Sequence, residues 1–388
     1  ELSRLNSIWH QLPESWRFCL PLWAVLRVAT SLLTVFIWKL RLMPTEYDYW
    51  AYRDLQPVVN GVEGALLGMW QRWDGIHYQT IAQSGYSTAE VTVFFPLYPY
   101  LSRGLSRITG ISELAVLFVV SSLAFLFAMV LLFELVKLNY SRQIAQDAVI
   151  AACFFPTSFF FLALYPQGLA LALILLSVLL AQKNQWLAAC IVSILTGLTH
   201  GTGVPLAILL FVLAINFLRE KKQPLRWSVV AVPFMPLAGT ALFFAWRIFN
   251  HFPSINTILS TYFHRVFIAP WTTFLRFWEL LPANVTSPDW IVNGCALLIL
   301  LVGIIWGVKK LPLAWELYSV ALFIFILTSG VSINPLNSFS RYCLTAFPMY
   351  ALIGMWTNSK KRRLATMGLG AAGCLFLLSL FLMWEWIA

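Results

Sequence analysis

The feature that most constrains the fold of this chain is a series of apolar runs, each close to the length of a membrane-crossing helix, with short polar or basic connections between them. The hydrocarbon core of a bilayer is about 30 Å thick, so one crossing helix needs roughly 20 apolar residues. Hydrophobic residues make up 60% of the 388 residues and charged residues only 11%, unlike soluble globular domains. The sequence therefore predicts an all-α, polytopic membrane protein in which residues 1–388 form a single transmembrane domain.

The apolar runs predict about eleven spans, within a range of about nine to thirteen, because two pairs of runs have almost no connection between them. The predicted spans are residues 18–38, 113–137, 146–163, 166–182, 186–200, 203–218, 227–248, 289–308, 313–330, 341–357 and 364–387. Two long segments remain, residues 39–112 and residues 249–288. The first is too polar to cross and too aromatic for a free linker, so we predict short amphipathic helices at the membrane surface.

The distribution of basic residues indicates the orientation. If the N-terminus is cytoplasmic, the inner connections include Lys309 with Lys310 and the basic run 360–363, whereas the short outer connections 164–166 and 201–203 hold no Lys or Arg. Short cytoplasmic loops carry an excess of Lys and Arg, so both long segments are predicted to be extracytoplasmic loops. Topology thereby accounts for the net charge of +10, and no nucleic-acid partner is predicted.

The first long segment concentrates polar chemistry. Arg72, Asp74 and His77 lie within six positions of one another in a chain that has few charges. If this stretch is helical, Asp74 and His77 share a face, and partial dehydration would raise the proton affinity of the carboxylate and suit it to accept a proton from a hydroxyl. The alternative is that Asp74 only pairs with Arg72 at the surface, worth about 0–1 kcal/mol, and that His77 is an ordinary interfacial histidine.

Other polar residues lie at predicted outer ends of spans. His200 precedes the glycine-flanked residues 201–203, whose backbone N–H groups can face an anion. Arg341 can bind a phosphate through two parallel hydrogen bonds, and Tyr165 and Gln167 flank an outer turn. In each case a residue anchored at the headgroup level is the alternative. The six cysteines lie singly, without metal-ligand spacing, so neither a metal nor another cofactor is predicted.

The stretch Arg72-Trp73-Asp74-Gly75-Ile76-His77-Tyr78, followed by Gly85-Tyr86 and Phe94-Phe95-Pro96-Leu97-Tyr98-Pro99, resembles the first-loop signature of GPI mannosyltransferase 2, the PIG-V family. Stretches near 156–165, 196–203 and 340–348 are also similar. The resemblance implies a GT-C glycosyltransferase. Such an enzyme transfers a hexose, here mannose, from a polyprenyl- or dolichyl-phosphate donor to a lipid- or glycan-linked acceptor on the extracytoplasmic face, with inversion.

The resemblance also implies roles for individual residues. Asp74 matches the catalytic carboxylate and would be the general base on the acceptor hydroxyl. The residues expected to bind substrate are Arg72, His77, Tyr98, Tyr165, Gln167, His200 and Arg341.

The chain departs from the family pattern at two places. It has His200-Gly201-Thr202-Gly203 where the family has Arg-Ser-x-Gly, so donor-phosphate binding there would depend on an imidazole or on backbone amides. It has Tyr165-Pro166-Gln167 where the family has Tyr-Ser/Thr-Glu. Because this chain lacks that carboxylate, the identity of the acceptor substrate is left open.

Two other function classes remain at this point. A lipid or polyprenol transporter would suit the charged Arg27 within the first predicted span, and an inactive subunit that binds the donor would suit the departures. The resemblance implies a shortened bacterial relative in the plasma membrane, or an ER protein in a eukaryote, with membrane lipids as partners. The oligomeric state is left open.

Overall fold

The computed structural model describes residues 9–42, 52, 55–221, 226–331 and 334–387. These residues are helical almost throughout, which confirms the predicted all-α class. Six of the described helical segments are long and apolar enough to cross a membrane: Glu14–Lys39, Glu113–Asn139, Gly201–Glu220, Trp227–Phe249, Pro288–Gly307 and Lys360–Leu382. Shorter apolar helices cover Gln167–Gln182, Trp186–Gly197, Leu313–Leu327 and Phe347–Trp356. The number of spans, about eleven, stays a prediction.

We number the described helices in chain order. The first nine are α1 (Glu14–Lys39), α2 (Gly61–Leu66), α3 (Asp74–Ser84), α4 (Leu97–Thr109), α5 (Glu113–Asn139), α6 (Arg142–Cys153), α7 (Gln167–Gln182), α8 (Trp186–Gly197) and α9 (Leu206–Lys221). The others are α10 (Trp227–Ala231), α11 (Met235–Phe249), α12 (Ile255–Phe263), α13 (Pro270–Asn284), α14 (Pro288–Gly307), α15 (Leu313–Leu327), α16 (Phe339–Tyr342), α17 (Phe347–Trp356) and α18 (Lys360–Leu382). Short 3-10 helices cover Gly68–Trp70, Glu90–Val93, Ser158–Phe161, Gly201–Gly203, Val232–Phe234 and Cys343–Thr345.

A short antiparallel ladder, which the sequence did not predict, joins β1 (Arg265–Phe267) to β2 (Ser329–Val331). Val266 lies opposite Gly330. Each strand has three residues, too few for an alternating pattern to be recognised. The ladder joins the second long loop to the end of α15.

Several predicted spans end elsewhere than expected. The span predicted at 313–330 ends at Leu327, before β2, and the span predicted at 341–357 is divided between α16, the 3-10 helix Cys343–Thr345 and α17. The span predicted at 146–163 is wrong at its end, because α6 stops at Cys153 and the chain continues as irregular turns and a 3-10 helix. Pro156 explains the stop, since a proline disfavours helical backbone in the residue before it. The span predicted at 364–387 ends at Leu382, and Trp384 then adopts a positive φ of 71°, which turns the last residues away from the helix.

Serine side chains cap the first turns of four described helices. The hydroxyls of Ser112, Ser141, Ser254 and Ser359 accept hydrogen bonds from backbone N–H groups in the first turns of α5, α6, α12 and α18. Such caps satisfy N–H groups that the helix itself leaves without a partner. They set where each helix begins.

Arg27 shows how a charge is accommodated within α1. Its guanidinium donates to the carbonyl oxygen of Leu162 at 3.0 Å and lies 3.4 Å from the ring centroid of Phe118. A carbonyl dipole and an aromatic face both stabilise a cation in an apolar setting. Arg27 therefore ties α1 to the helical core.

The predicted first loop, 39–112, contains α2, α3 and α4, and its residues 43–51, 53 and 54 lie outside the described residues. Its polar groups bond within the loop: the Tyr52 hydroxyl donates to the carbonyl oxygen of Gln71 at 3.0 Å, and the Gln71 amide donates to Gln79 at 2.9 Å. Trp70, which precedes Gln71 in the sequence, is fully buried. The loop is thus a folded unit that can hold a side chain in a fixed position.

Two glycines allow α8 and α11 to cross in close contact. A Cβ atom added at Gly197 would overlap the carbonyl oxygen of Pro236, and one added at Gly239 would overlap that of Ile194. Small residues at such crossings let helix backbones approach, which drives helix packing in membranes. These helices lie beside the cavity described below.

We expect Gly197→Ala to destabilise the protein by about 1–3 kcal/mol, because the added methyl group must push two helices apart. The melting temperature of the protein in detergent measures the effect.

Gly368→Ala is the matched control, since a Cβ atom there meets nothing within 4 Å. It should leave the melting temperature unchanged or raise it, because alanine favours the helix. Equal melting temperatures for the two variants would contradict the close crossing.

Candidate functional site

A cavity of about 500 Å³ lies between α3, α11, α12, α15 and α16. Most of its wall is apolar: Phe95, Val204, Phe244, Ile255, Leu259, Phe263, Phe267 and Phe325. The polar side chains in the wall include Asp74, His77, Gln167, His200, Arg265, Asn337 and Arg341. Pockets of this size, apolar with a few convergent polar groups, are typical ligand sites.

An ion pair between Asp74 and Arg341 forms the charged centre of the cavity. A terminal guanidinium nitrogen of Arg341 lies 2.6 Å from Oδ2 of Asp74, and the two side chains are 4% and 16% exposed. A second nitrogen of Arg341 donates to the hydroxyl of Ser338 at 3.1 Å. Among the described residues its Nε is buried without a hydrogen-bond partner, so Arg341 retains one free donor.

The backbone before α3 aims Asp74 into the cavity. Asp74 is the first residue of α3, and its backbone N–H donates to the Tyr165 hydroxyl at 3.2 Å. The preceding residue, Trp73, has φ 51° and ψ −128°, which is strained for a residue with a side chain. The rings of Trp384 and Trp386 pack edge-on against Trp73, at 5.7 and 5.0 Å, and hold it there.

Neighbouring cations decide the charge of Asp74. Burial alone would raise its pKa, but Arg341, His77 and Arg265 together bring the pKa below its ordinary value. The expectation that dehydration raises the proton affinity of this carboxylate is therefore wrong in this unliganded structure, because attraction to nearby cations outweighs desolvation. Asp74 is ionised here.

Arg265 is a second cation in the cavity wall, and it was not among the site residues predicted from the sequence. It donates to the Tyr342 hydroxyl at 2.7 Å, to the Ser338 hydroxyl at 2.7 Å and to the carbonyl oxygen of Asn337 at 3.1 Å. Within the described part of the chain it forms no ion pair. Neutral oxygens thus position its charge, and the described carboxylates Asp74 and Asp289 attract it only from beyond ion-pair distance.

The two arginines converge on one hydroxyl. Ser338, which has a left-handed backbone with φ 68°, accepts hydrogen bonds from both Arg265 and Arg341. Tyr342 lies beside both guanidinium groups, and although burial would raise its pKa, Arg265 and Arg341 lower it below the ordinary value. Two cations therefore face one carboxylate, and this region of the cavity carries an excess positive charge that favours a bound anion.

His200 is neutral in the cavity wall. Its Nδ1 accepts a hydrogen bond from the backbone N–H of Thr202 at 3.2 Å, which places the proton on Nε2. Burial and then Arg341 lower the pKa of His200 from 6.5 to about 3, although Asp74 opposes the shift. His200 can therefore donate a hydrogen bond at physiological pH but does not supply a positive charge.

His77 and Gln167 complete the predicted residues that line the cavity. The imidazole of His77 stacks on Phe94 with ring centroids 5.0 Å apart and meets Phe263 edge-on at 5.9 Å. Gln167 is 2% exposed, and within the described chain its side-chain oxygen is buried without a hydrogen-bond partner. That oxygen can accept a hydrogen bond from a ligand.

Three residues predicted to bind substrate do not line the cavity. Arg72 is buried, and two of its nitrogens donate to the carbonyl oxygen of Leu382, each at 3.2 Å. A cation at that position stabilises the C-terminal end of α18. Tyr98 is buried and its hydroxyl donates to the carbonyl oxygen of Leu117, while Tyr165 positions the start of α3. All three make structural contacts that hold the helices around the site in position.

The structure adds Arg265, Asn337, Tyr342 and Trp386 to the residues named from the sequence. The chain turns after α18, and this turn places Trp386 in the cavity wall. Its indole N–H donates to the Asn337 side chain at 2.9 Å. Arg265 could have been chosen as a candidate because it is a basic residue in a predicted outer loop of an apolar chain. The neighbouring sequence does not indicate which groups its side chain contacts. In the described residues no group of three His, Cys, Asp or Glu side chains is arranged to hold a metal ion.

Comparison with solved structures finds an oligosaccharyltransferase from Archaeoglobus fulgidus. Its complex with zinc and sulfate is 13% identical, with a TM-score of 0.45, and the match covers 94% of this chain and 53% of that one. Its complex with an inhibitory peptide and a dolichol-phosphate is 13% identical, with a TM-score of 0.42, covering 94% and 56%. This chain spans about half the length of those proteins.

A search of curated proteins found no match. The family model for mannosyltransferase (PIG-V) matches residues 19–257, more than half of the 388 residues, and this range includes Asp74, His77, Gln167 and His200. The chain therefore belongs to the mannosyltransferase (PIG-V) family.

Proposed function

We propose that this protein transfers a hexose, mannose by its family, from a polyprenyl- or dolichyl-phosphate donor to a hydroxyl of a lipid- or glycan-linked acceptor, with inversion. The observation that carries the proposal is the meeting of Asp74, Arg341 and Arg265 in the wall of a largely apolar cavity. A base and two cations are the groups that transfer from a lipid phosphate requires.

The balance of charge favours a phosphate monoanion at the two arginines. With Asp74 ionised, one positive charge is left over, and a donor phosphodiester carries one negative charge. The unpaired Nε of Arg341 and the forked guanidinium of Arg265 supply donors for its oxygens. The apolar side chains Phe244, Ile255 and Leu259 would face the prenyl chain.

Binding of the donor would also prepare Asp74 as a base. A phosphate that attracts Arg341 weakens the ion pair that holds the pKa of Asp74 low. Burial, which raises the pKa, then has more effect, and the carboxylate accepts a proton more readily. In this scheme the donor binds before the acceptor is activated.

The reaction then proceeds in one displacement. The acceptor hydroxyl transfers its proton to Asp74, and its oxygen attacks the anomeric carbon as the bond from that carbon to the phosphate oxygen breaks. The electron pair of the broken bond stays on the phosphate, which leaves as prenyl phosphate with one more negative charge. Arg341 and Arg265 stabilise the charge that develops there.

Two neutral groups are suited to the sugar. Gln167 presents an unpaired buried oxygen to the cavity, and His200 carries its proton on Nε2. Together they offer an acceptor and a donor for sugar hydroxyls, which is the kind of pairing that gives specificity without charge.

The proposed topology is of GT-C type, with a cytoplasmic N-terminus and the cavity on the extracytoplasmic side of a bacterial plasma membrane or an ER membrane. Asp74 comes from the first long loop and Arg265 from the second, and both loops are assigned to that side by the basic inner connections. The reaction as proposed uses no metal or other cofactor.

Asp74→Asn should lower the turnover number by about 10²–10⁴-fold, because the amide cannot accept the proton. Donor binding should remain, since both arginines are retained. Transfer of labelled mannose from a synthetic polyprenyl-phosphate donor measures this. Glu63→Gln is the matched control, an acid-to-amide change at an exposed position of the same loop, and it should leave turnover unchanged. Full activity of Asp74→Asn would exclude its role as the base.

Arg265→Gln should raise the KM for the donor by about 10–100-fold, because a charge-assisted hydrogen bond to the phosphate is lost. Arg265→Lys should restore part of the affinity. The exposed Arg276 lies in the same long loop, and Arg276→Gln should leave the KM unchanged. An unchanged donor KM in Arg265→Gln would remove this residue from the phosphate site.

His200 should not titrate in the physiological range. Its pKa is lowered to about 3, so it is neutral above that pH and gains a proton and a positive charge only in strong acid. The pH profiles of kcat/KM for wild type and His200→Asn should therefore have the same shape between about pH 5 and pH 8, whatever their relative heights. A limb near the ordinary histidine pKa that disappears in His200→Asn would contradict this assignment.

A further inference from the structure

A second cavity, of about 340 Å³, lies between α6, α17 and α18. It touches the C-terminal end of α17 at Ile353, Trp356 and Thr357, whereas Arg341 and Tyr342 of the first cavity lie just before the N-terminal end of that helix. A ten-residue helix is about 15 Å long. The two cavities are therefore separate and lie toward opposite ends of α17.

The second cavity is a groove along α18, between its contacts with the α6 region at Gly370 and at Arg363. The helices touch at Gly370, where an added Cβ atom would overlap the carbonyl oxygen of Phe154. From there the lining residues of α18 extend back to Arg363 near its N-terminus. Along this half of α18, Leu364 is 59% and Leu369 77% exposed. Apolar side chains this exposed on a membrane helix face lipid.

A fixed charge pair marks one end of the groove. Arg363 makes two contacts with Asp147, at 2.7 Å and 3.0 Å, and Asp147 is 2% exposed. The rest of the lining is mostly apolar, with Ile150, Phe154 and Met367 among its residues. The groove thus has a polar end, which suits a lipid headgroup, and an apolar interior, which suits an acyl chain.

The exposed residues just before Arg363 carry further cations that no described carboxylate neutralises. Lys360, Lys361, Arg362 and Arg363 form the first turn of α18, which contains no acidic residue. Only Arg363 has an ion-pair partner among the described residues. The N-terminus of a helix is itself positive, so four cations there repel one another and the helix dipole. An anion at this position would relieve that repulsion.

We propose that this groove binds one anionic glycerophospholipid, with its phosphate at Lys360 and Lys361 and an acyl chain between α6 and α18. Basic pockets between membrane helices bind acidic headgroups, and each basic side chain near an anionic surface contributes measurably to affinity. The groove is far from Asp74, so the proposal does not depend on the proposed function.

The test uses the full chain, purified in detergent and incubated with equal amounts of phosphatidylglycerol and phosphatidylcholine, with bound lipid counted by native mass spectrometry. We expect one phosphatidylglycerol retained per chain in preference to phosphatidylcholine. Lys360→Gln with Lys361→Gln should lower this preference roughly tenfold. Thr366→Trp, which fills the groove and keeps every charge, should abolish retention of the lipid.

The matched control is Lys309→Gln with Lys310→Gln, which removes two exposed charges from a connection outside the groove and should leave the preference unchanged. An equal loss in this control, or retention by Thr366→Trp, would reduce the effect to general surface attraction and overturn the proposal. Equal retention of the two lipids would overturn it too. Inorganic phosphate in excess should not displace the lipid, because it offers no acyl chain, and displacement would mean that the site binds only phosphate.

Discussion

The ion pair between Asp74 and Arg341 is the interaction on which the site depends. It joins the first loop to a segment 267 residues away, and both side chains are largely buried. Removing water from two charges is costly, and such a pair persists only when further hydrogen bonds satisfy its atoms. Tyr165 supports the Asp74 backbone and Ser338 supports the Arg341 guanidinium. The fold is therefore arranged to hold a charge pair where apolar packing alone would exclude it.

Arg265 changes what that pair can do. Asp74 with Arg341 alone would be neutral and inert, a structural contact in an apolar protein. The second guanidinium, held by Ser338 and Tyr342, forms no ion pair with a described carboxylate and adds a positive charge to the cavity wall. In the proposed reaction an anionic donor would bind this charge and compete for Arg341, which would couple donor binding to the basicity of Asp74.

Three arginines illustrate how the same side chain serves different ends. Arg27 is accommodated by a carbonyl oxygen and an aromatic face, Arg72 by the carbonyl at the end of α18, and Arg341 by a carboxylate. In an apolar interior each buried guanidinium needs such a partner, and the place of that partner in the fold decides what the arginine contacts. Arg72, two positions before Asp74 in the sequence, is bonded to the end of α18 and does not line the cavity.

The sequence by itself determined the all-α class and the positions of most helices, because the length of an apolar run is a local property that decides whether the run can cross a bilayer. It also singled out Asp74 as a candidate. The ends of α6 at Cys153 and of α18 at Leu382 were predicted wrongly, since they depend on turns and on packing. Only the tertiary structure decided that Arg341, Arg265 and Asp74 share one cavity, that His200 is neutral, and that Arg72 and Tyr98 lie behind the site. Charge and pKa depend on which distant groups meet and how much water they exclude, and no single stretch of sequence contains that information.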